Sequence, residues 1–86
     1  MKWRYAISYG NMKPGDTGEK LEKDVAKYKA ELENVGIKML FWGHPFGVSE
    51  NVVWVLDLEG SMDKYIKTMD ITSPITGQRT DFVLER

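Results

Sequence analysis

Residues 2–9 alternate, with Trp3, Tyr5, Ile7 and Tyr9 on one side and Lys2, Arg4, Ala6 and Ser8 on the other. A period of two with aromatic and β-branched content predicts a strand. Gly10-Asn11 and then Pro14-Gly15 predict its end and a loop. Asp16-Thr17-Gly18-Glu19 resembles a capping box, in which the Asp side chain accepts an N–H of the first turn and the Glu reaches back. After it, Leu21, Val25, Tyr28, Leu32 and Val35 recur at three- and four-residue spacing, one apolar stripe on a helix of about five turns. Asn34 or Gly36 is its natural stop, since both residue types tolerate left-handed dihedrals.

Residues 37–43 and 51–58 predict the second and third strands, joined by a long hairpin loop, His44-Pro45-Phe46-Gly47-Val48-Ser49-Glu50. Gly60-Ser61 ends the third strand and opens a second helix with apolar positions Met62, Tyr65, Ile66 and Met69. Ser73-Pro74 lies beyond that helix, because proline disfavours helix at the residue before it. Thr76-Gly77 reads as a turn, and residues 79–85 as the last strand, with Phe82 and Leu84 alternating against Asp81, Val83 and Glu85. No repeat or linker interrupts this order. It predicts a single α+β domain over residues 1–86, a ferredoxin-like βαββαβ fold with a four-stranded antiparallel sheet and two helices on one face.

Such a fold leaves one sheet face open, and an open antiparallel face should alternate apolar with polar residues. The middle strands do not. The alternation sets Met39 and Phe41 against Leu40 and Trp42, and Val53 and Val55 against Val52, Trp54 and Leu56. Oily side chains on both faces make a patch larger than soluble monomers usually tolerate, so something should cover it. A second copy packed face to face is one covering and gives a homodimer. A single-stranded nucleic acid stacked on the aromatics is another, and a small apolar ligand a third.

Composition decides among these. Lysine and arginine number 12 against 13 aspartates and glutamates, a net charge of -1, which offers no long-range attraction to nucleic acid or anionic lipid. No stretch like the aromatic and basic signature of RNA-binding sheets is present. The chain has 86 residues and no cysteine, so neither disulfides nor thiolate metal sites supplement its small core. Its one histidine argues against a histidine-rich metal site. Self-association is the remaining source of extra stability. No apolar stretch approaches the roughly 20 residues that span a bilayer. The start, Met1-Lys2-Trp3-Arg4-Tyr5, has no apolar signal-peptide core and reads directly as a strand. A cytoplasmic homodimer without cofactor, nucleic-acid partner or membrane contact is the expectation.

The segment Val52-Val53-Trp54-Val55-Leu56-Asp57-Leu58-Glu59-Gly60-Ser61-Met62, with the helix around Tyr65–Met69, resembles the third strand and second helix of the dimeric α/β-barrel superfamily. That group includes small monooxygenases, muconolactone-isomerase-like proteins, stress-responsive barrel proteins and GYD-type domains. The resemblance covers nearly the whole chain through element order, element lengths and the two-faced middle strands. It implies a dimer with a pocket between sheet and helices in each subunit. It also implies binding of a small apolar molecule, with cofactor-independent oxygenase or isomerase chemistry among the expected activities. The same group holds haem binders and proteins without known activity, so a non-catalytic assembly or regulatory module is the alternative. Acylphosphatase-like chemistry fails, because the loop Gly10–Gly15 has no arginine to hold phosphate, and the metal-carrying domains of this topology need a Cys-x-x-Cys pair.

Two residues are catalytic candidates. His44, at the end of the second strand, carries an imidazole, the side-chain type suited to general acid–base work or axial haem ligation. The plainer reading is a loop residue with a local hydrogen bond. Asp57 sits inside an apolar strand, where acids are depleted unless paired or exposed, and Arg4, Lys38 or Arg79 could pair with it. Buried, it would be a base for proton abstraction, and the plainer reading is a solvated acid at a strand end. Tyr5, Tyr9, Trp42 and Trp54 are the candidate substrate-binding residues, aromatics able to line a cavity for a flat apolar ligand. Sheet core or dimer interface is the simpler role for the same four.

Overall fold

The structure is a computed structural model that describes residues 2–86. Its elements run β1 (Lys2–Met12), α1 (Gly18–Asn34), β2 (Lys38–Gly43), β3 (Val52–Gly60), α2 (Met62–Lys67), a 3₁₀ turn (Thr68–Asp70) and β4 (Ile75–Glu85). The strands form one antiparallel sheet in the order β2-β3-β1-β4, the ferredoxin-like arrangement. The sheet of one chain is open, with β2 and β4 as its edges, and is not closed into a barrel.

Helix α1 forms where the apolar stripe predicts it, and Leu21, Val25, Tyr28 and Leu32 are its buried residues. Its cap differs from the expectation. Thr17, not Asp16, is the N-cap, and its side chain accepts the Lys20 N–H at 3.2 Å. Asp16 instead closes the turn Lys13-Pro14-Gly15-Asp16, where Gly15 takes φ 85° and the Asp16 N–H donates to the Lys13 carbonyl at 3.0 Å. At the other end Gly36, at φ 85°, reverses the chain. Its N–H reaches the Glu33 carbonyl while the Ile37 N–H reaches that of Leu32, a Schellman closure.

Two strands outrun their expected ends. β1 continues through Gly10 and Asn11 to Met12, because Gly10 is a close-approach glycine: a Cβ there would run into the Ile75 side chain of β4. β4 starts at Ile75 and takes Thr76-Gly77 into the strand. The register slips one residue there, and Gly77 has φ 62°, so the expected turn is a bulge.

Bulges also decide which way side chains point. Leu40 is an extra residue between Met39, opposite Leu56, and Phe41, opposite Val55. Met39 and Phe41 therefore occupy opposite faces, contrary to simple alternation, and Trp42 joins Trp54 on the helix side. A second slip between Trp3 and Tyr5 puts Trp3 beside Leu84 and leaves Tyr5 beside Val83. Trp3 thus shares the helix-side face with Phe82, its ring at 6.2 Å, rather than the face of Tyr5, Ile7 and Tyr9.

The core lies between α1 and the helix-side face, where Ala6, Val52, Trp54, Leu56 and Leu58 are fully buried. Tyr28 of α1 packs on Trp54 with ring centroids 5.0 Å apart. α2 contributes less than its pattern suggests. Met62 and Tyr65 pack on the core from its edge, whereas Ile66 and Met69 are exposed. Among the described residues no helix is long and apolar enough to cross a membrane.

Candidate functional site

The open face is built from alternate residues of all four strands. Cross-strand partners place Phe41, Val55, Ile7 and Asp81 in one row, with Lys38, Asp57, Tyr5 and Val83 in the next row toward one end. Gly43, Val53, Tyr9 and Arg79 form the row on the other side. The middle of this surface is apolar. Val55 is down to 9% exposure because Ile7 and Phe41 flank it, but Phe41 itself is 60% exposed on edge strand β2. Tyr5, Ile7, Tyr9 and Val53 are half-buried with no helix above them.

Charged side chains rim that strip. The Arg79 guanidinium lies over the Tyr9 ring, 4.2 Å from its centroid, and its Nε donates to Glu50 at 2.6 Å. The hydrogen bond from Arg79 holds the Glu50 carboxyl below its usual range. This pair ties the 44–51 loop to the sheet, and Asn51 ties it again. Asn51 donates its N–H to the Gly10 carbonyl at 3.1 Å and accepts the Met12 N–H on its side chain at 3.0 Å. Phe46, at the loop's tip, is fully exposed.

The six sequence candidates do not converge. His44 is exposed, its ring 5.9 Å from that of Trp42, and its Nδ1 lies 2.8 Å from the Asn51 carbonyl. A carbonyl only accepts, so Nδ1 is the donor in this bond. Asp57 accepts the Glu59 N–H at 2.9 Å, opposite Tyr5 and Lys38. His44 is held at the start of β3 and Asp57 stands near its end, about 20 Å away at 3.3 Å per residue. Arg79 bonds Glu50 and Asp81 rather than Asp57. The sheet itself divides the aromatics, with Tyr5 and Tyr9 on the open face and Trp42 and Trp54 on the helix side.

The helix side holds a polar chain that the alternation pattern did not single out. Buried Ser8 meets Thr80 at 3.0 Å, and the Tyr65 hydroxyl donates to Thr80 at 3.1 Å. Gln78 donates to Ser8 at 3.4 Å and accepts from Ser73 at 2.8 Å. The legible signal was two small hydroxyl residues at core-facing positions of neighbouring strands. Ser73 also lines a cleft of about 380 Å3 beside α1, with Tyr28, Lys13, Lys20 and Asp24 among its walls. Burial pushes the Tyr28 phenol up to about 12, so it stays a neutral donor there. Among the described residues no group of three or more histidines and carboxylates could hold a metal ion. Compared with known proteins, the chain matches no family model, no curated protein and no solved structure.

Proposed function

We propose that this chain is a self-assembling domain of the dimeric α/β-barrel type, whose working surface is the open sheet face and whose partner there is a second copy. One observation carries the reading: a contiguous apolar strip, Phe41-Val55-Ile7 with Tyr5, Val53 and Tyr9 around it, crosses a face that no helix covers. A surface of this kind gains by stacking on another sheet, and an 86-residue chain without disulfides has much to gain from added burial. The test is sedimentation equilibrium of the wild type and of Phe41→Asp. The wild type should associate, and the variant should keep its secondary structure while losing the face-to-face contact. A wild-type chain that stays monomeric at all attainable concentrations would overturn the reading.

A second reading is favoured by the cleft beside α1, which admits a small molecule against Tyr28 and Ser73. Its walls carry lysines and a carboxylate, so the ligand it suits has polar groups at its rim as well as a body to pack on Tyr28. Oxygenase or isomerase chemistry of the kind found among similar barrels would have to use His44 or Asp57 singly, since no small substrate bridges the distance between them. Native mass spectrometry of freshly purified protein, reporting mass and any retained small molecule together, tests this reading. A chain that carries nothing and takes up no small molecule from a mixed library sinks it.

A further inference from the structure

The two sheet edges differ in how they are guarded. β2 is six residues long, bulged at Leu40 and headed by Lys38, three of the devices that keep an edge from pairing with another chain. β4 has eleven residues; its bulge at Gly77 lies near its start, and its charges Arg79, Asp81 and Glu85 are of both signs. Among the described residues only β1 pairs with it, so residues 78–85 run as an unbroken edge. Along its last stretch Phe82, Val83 and Leu84 are 37%, 38% and 40% exposed. On the helix side Phe82 also touches Tyr65, with ring centroids 4.9 Å apart, and Trp3 lies on its other flank. A long edge with apolar residues on both faces is a template for strand addition.

We infer that two copies of this chain join edge to edge through β4, antiparallel about a two-fold axis at Phe82. The charges on the strand select that register. A two-fold normal to the sheet pairs a central residue with itself and its neighbours symmetrically around it. Centring on Asp81 opposes that carboxylate to its own copy, and centring on Val83 opposes Asp81 to Glu85. Centring on Thr80 runs the pairing into the bulge at Gly77. Centring on Phe82 avoids all three faults. It sets Arg79, which within its own chain also bonds Glu50 and Asp81, against Glu85 twice, Asp81 against Val83, and Thr80 against Leu84, with the two Phe82 rings together on the helix side. Arg79 and Glu85 both lie on the open-face side of β4, so each cross-strand pair shares one face.

This joint uses a different surface from the face-to-face contact. An axis normal to the sheet at β4 and one between stacked faces, where they intersect, close four copies into a tetramer.

The experiment is sedimentation velocity with native mass spectrometry, run in the Phe41→Asp background so that only the edge remains. That background should still dimerise. Glu85→Arg sets Arg79 against an arginine and Arg79→Glu sets a glutamate against Glu85, and each change should weaken the dimer about tenfold. Mixing the two charge variants should restore association as a heterodimer, because both pairs are then complementary, a result that general destabilisation by either change cannot produce. Amide exchange along residues 79–85 should slow with rising concentration in the parent and in the mixture. A monomeric Phe41→Asp chain beside an associating wild type would overturn the edge joint and leave the face contact standing. Failure of the mixture to recover would overturn the register. Association untouched by Phe41→Asp but lost with the charge variants would sustain the edge and overturn the face.

Discussion

The two faces of the sheet share the same strands, yet they differ in make-up and end in opposite states. The open face mixes its apolar strip with Lys38, Asp57, Arg79 and Asp81, whereas the helix side opposes Met39, Leu56, Ala6 and Phe82 and carries hydroxyls rather than charges in the row of Trp42, Trp54, Ser8 and Thr80. On the helix side Trp54, Leu56 and Leu58 are wholly buried, and even the polar Ser8 is fully enclosed and bonded. On the open side Val55 alone approaches that burial, and Phe41 is left mostly in water. Coverage separates the faces more sharply than composition does, because the open face keeps an apolar strip of Phe41, Val55 and Ile7 between its charges. Under α1 the helix side is finished within one chain, with Trp3, Phe82 and Leu84 part-exposed only toward the β4 edge, whereas the open side supplies apolar surface across its middle whose benefit waits for a partner.

The largest expected effect follows from that contrast. Trp54→Ala removes a fully buried ring that Tyr28 stacks on, and should destabilise the chain by about 3–5 kcal/mol in urea denaturation. Phe41→Ala, a change of comparable chemistry on the other face, should move the folded monomer by no more than about 0.5 kcal/mol. Its effect should appear in association instead. Equal losses from the two substitutions in dilute monomer would break the comparison. Trp54→Phe sharpens it, because the buried Trp54 Nε1–H has no hydrogen-bond partner among the described residues. Losing that orphan donor should offset part of the lost packing, making Phe far milder than Ala.

How much of this was legible is itself divided by face and by bulge. The element order and the α1 stripe follow from periodicity alone, since Leu21, Val25, Tyr28 and Leu32 have one helical reading. The inward positions of β3 were equally legible, because that strand alternates without a slip from Val52 to Leu58. Trp3, Met39 and Trp42 were not. A single extra residue at Leu40 or between Trp3 and Tyr5 inverts every later assignment, and a bulge leaves no mark in a two-residue period. Of the four candidate aromatics, Tyr5 and Tyr9 are parted from Trp54 by plain register, and the bulge at Leu40 decides only the face of Trp42. The apolar spacing of α2 likewise promises more burial than the helix delivers. Its three- and four-residue spacing is real, but the helix stops at Lys67 with Ile66 exposed, and Met69 falls in the 3₁₀ turn beyond it, exposed as well. The Ser8–Thr80–Tyr65 chain joins residues up to 72 apart in sequence, and only the register brings them together.

Acid and base should act on different faces. Tyr28 supplies the alkaline limb. Burial, then the charges of Tyr65 and Glu31, raise its phenol from 10.0 to about 12. The folded state therefore holds its proton more tightly than the unfolded chain. Its stabilising contribution is complete below pH 10 and is lost as pH climbs from 10 through 12. At 1.36 kcal/mol for each pH interval of one, the loss is about 2–3 kcal/mol. Urea midpoints followed across that range should fall in the wild type and stay nearly level in Tyr28→Phe. Parallel slopes in the two chains would show that the helix-side packing over Tyr28 is looser than its burial indicates.

The open face contributes a weaker acid limb through Glu50. The hydrogen bond from Arg79 lowers the folded pKa of Glu50 beneath its ordinary 4.5. This sign is opposite to that of Tyr28. The contribution is whole above the unfolded value and disappears as pH falls through the folded one. The Arg79–Glu50 pair lies in reach of solvent and salt, so its share of global stability is the smallest considered, and unfolding midpoints are a poor probe of it. Its local consequence is measurable, because the pair pins the 44–51 loop to the sheet above Tyr9. Amide exchange in that loop should quicken as pH is lowered through the carboxylate range, after correction for the intrinsic rate. Glu50→Gln should show the quickened rate already at neutral pH, while the amides of β3 inside the core remain unchanged. If the loop exchanges equally in both chains at every pH, the Asn51 bonds to Gly10 and Met12 hold it by themselves. The charged rim would then be free to turn toward a partner rather than brace its own strand.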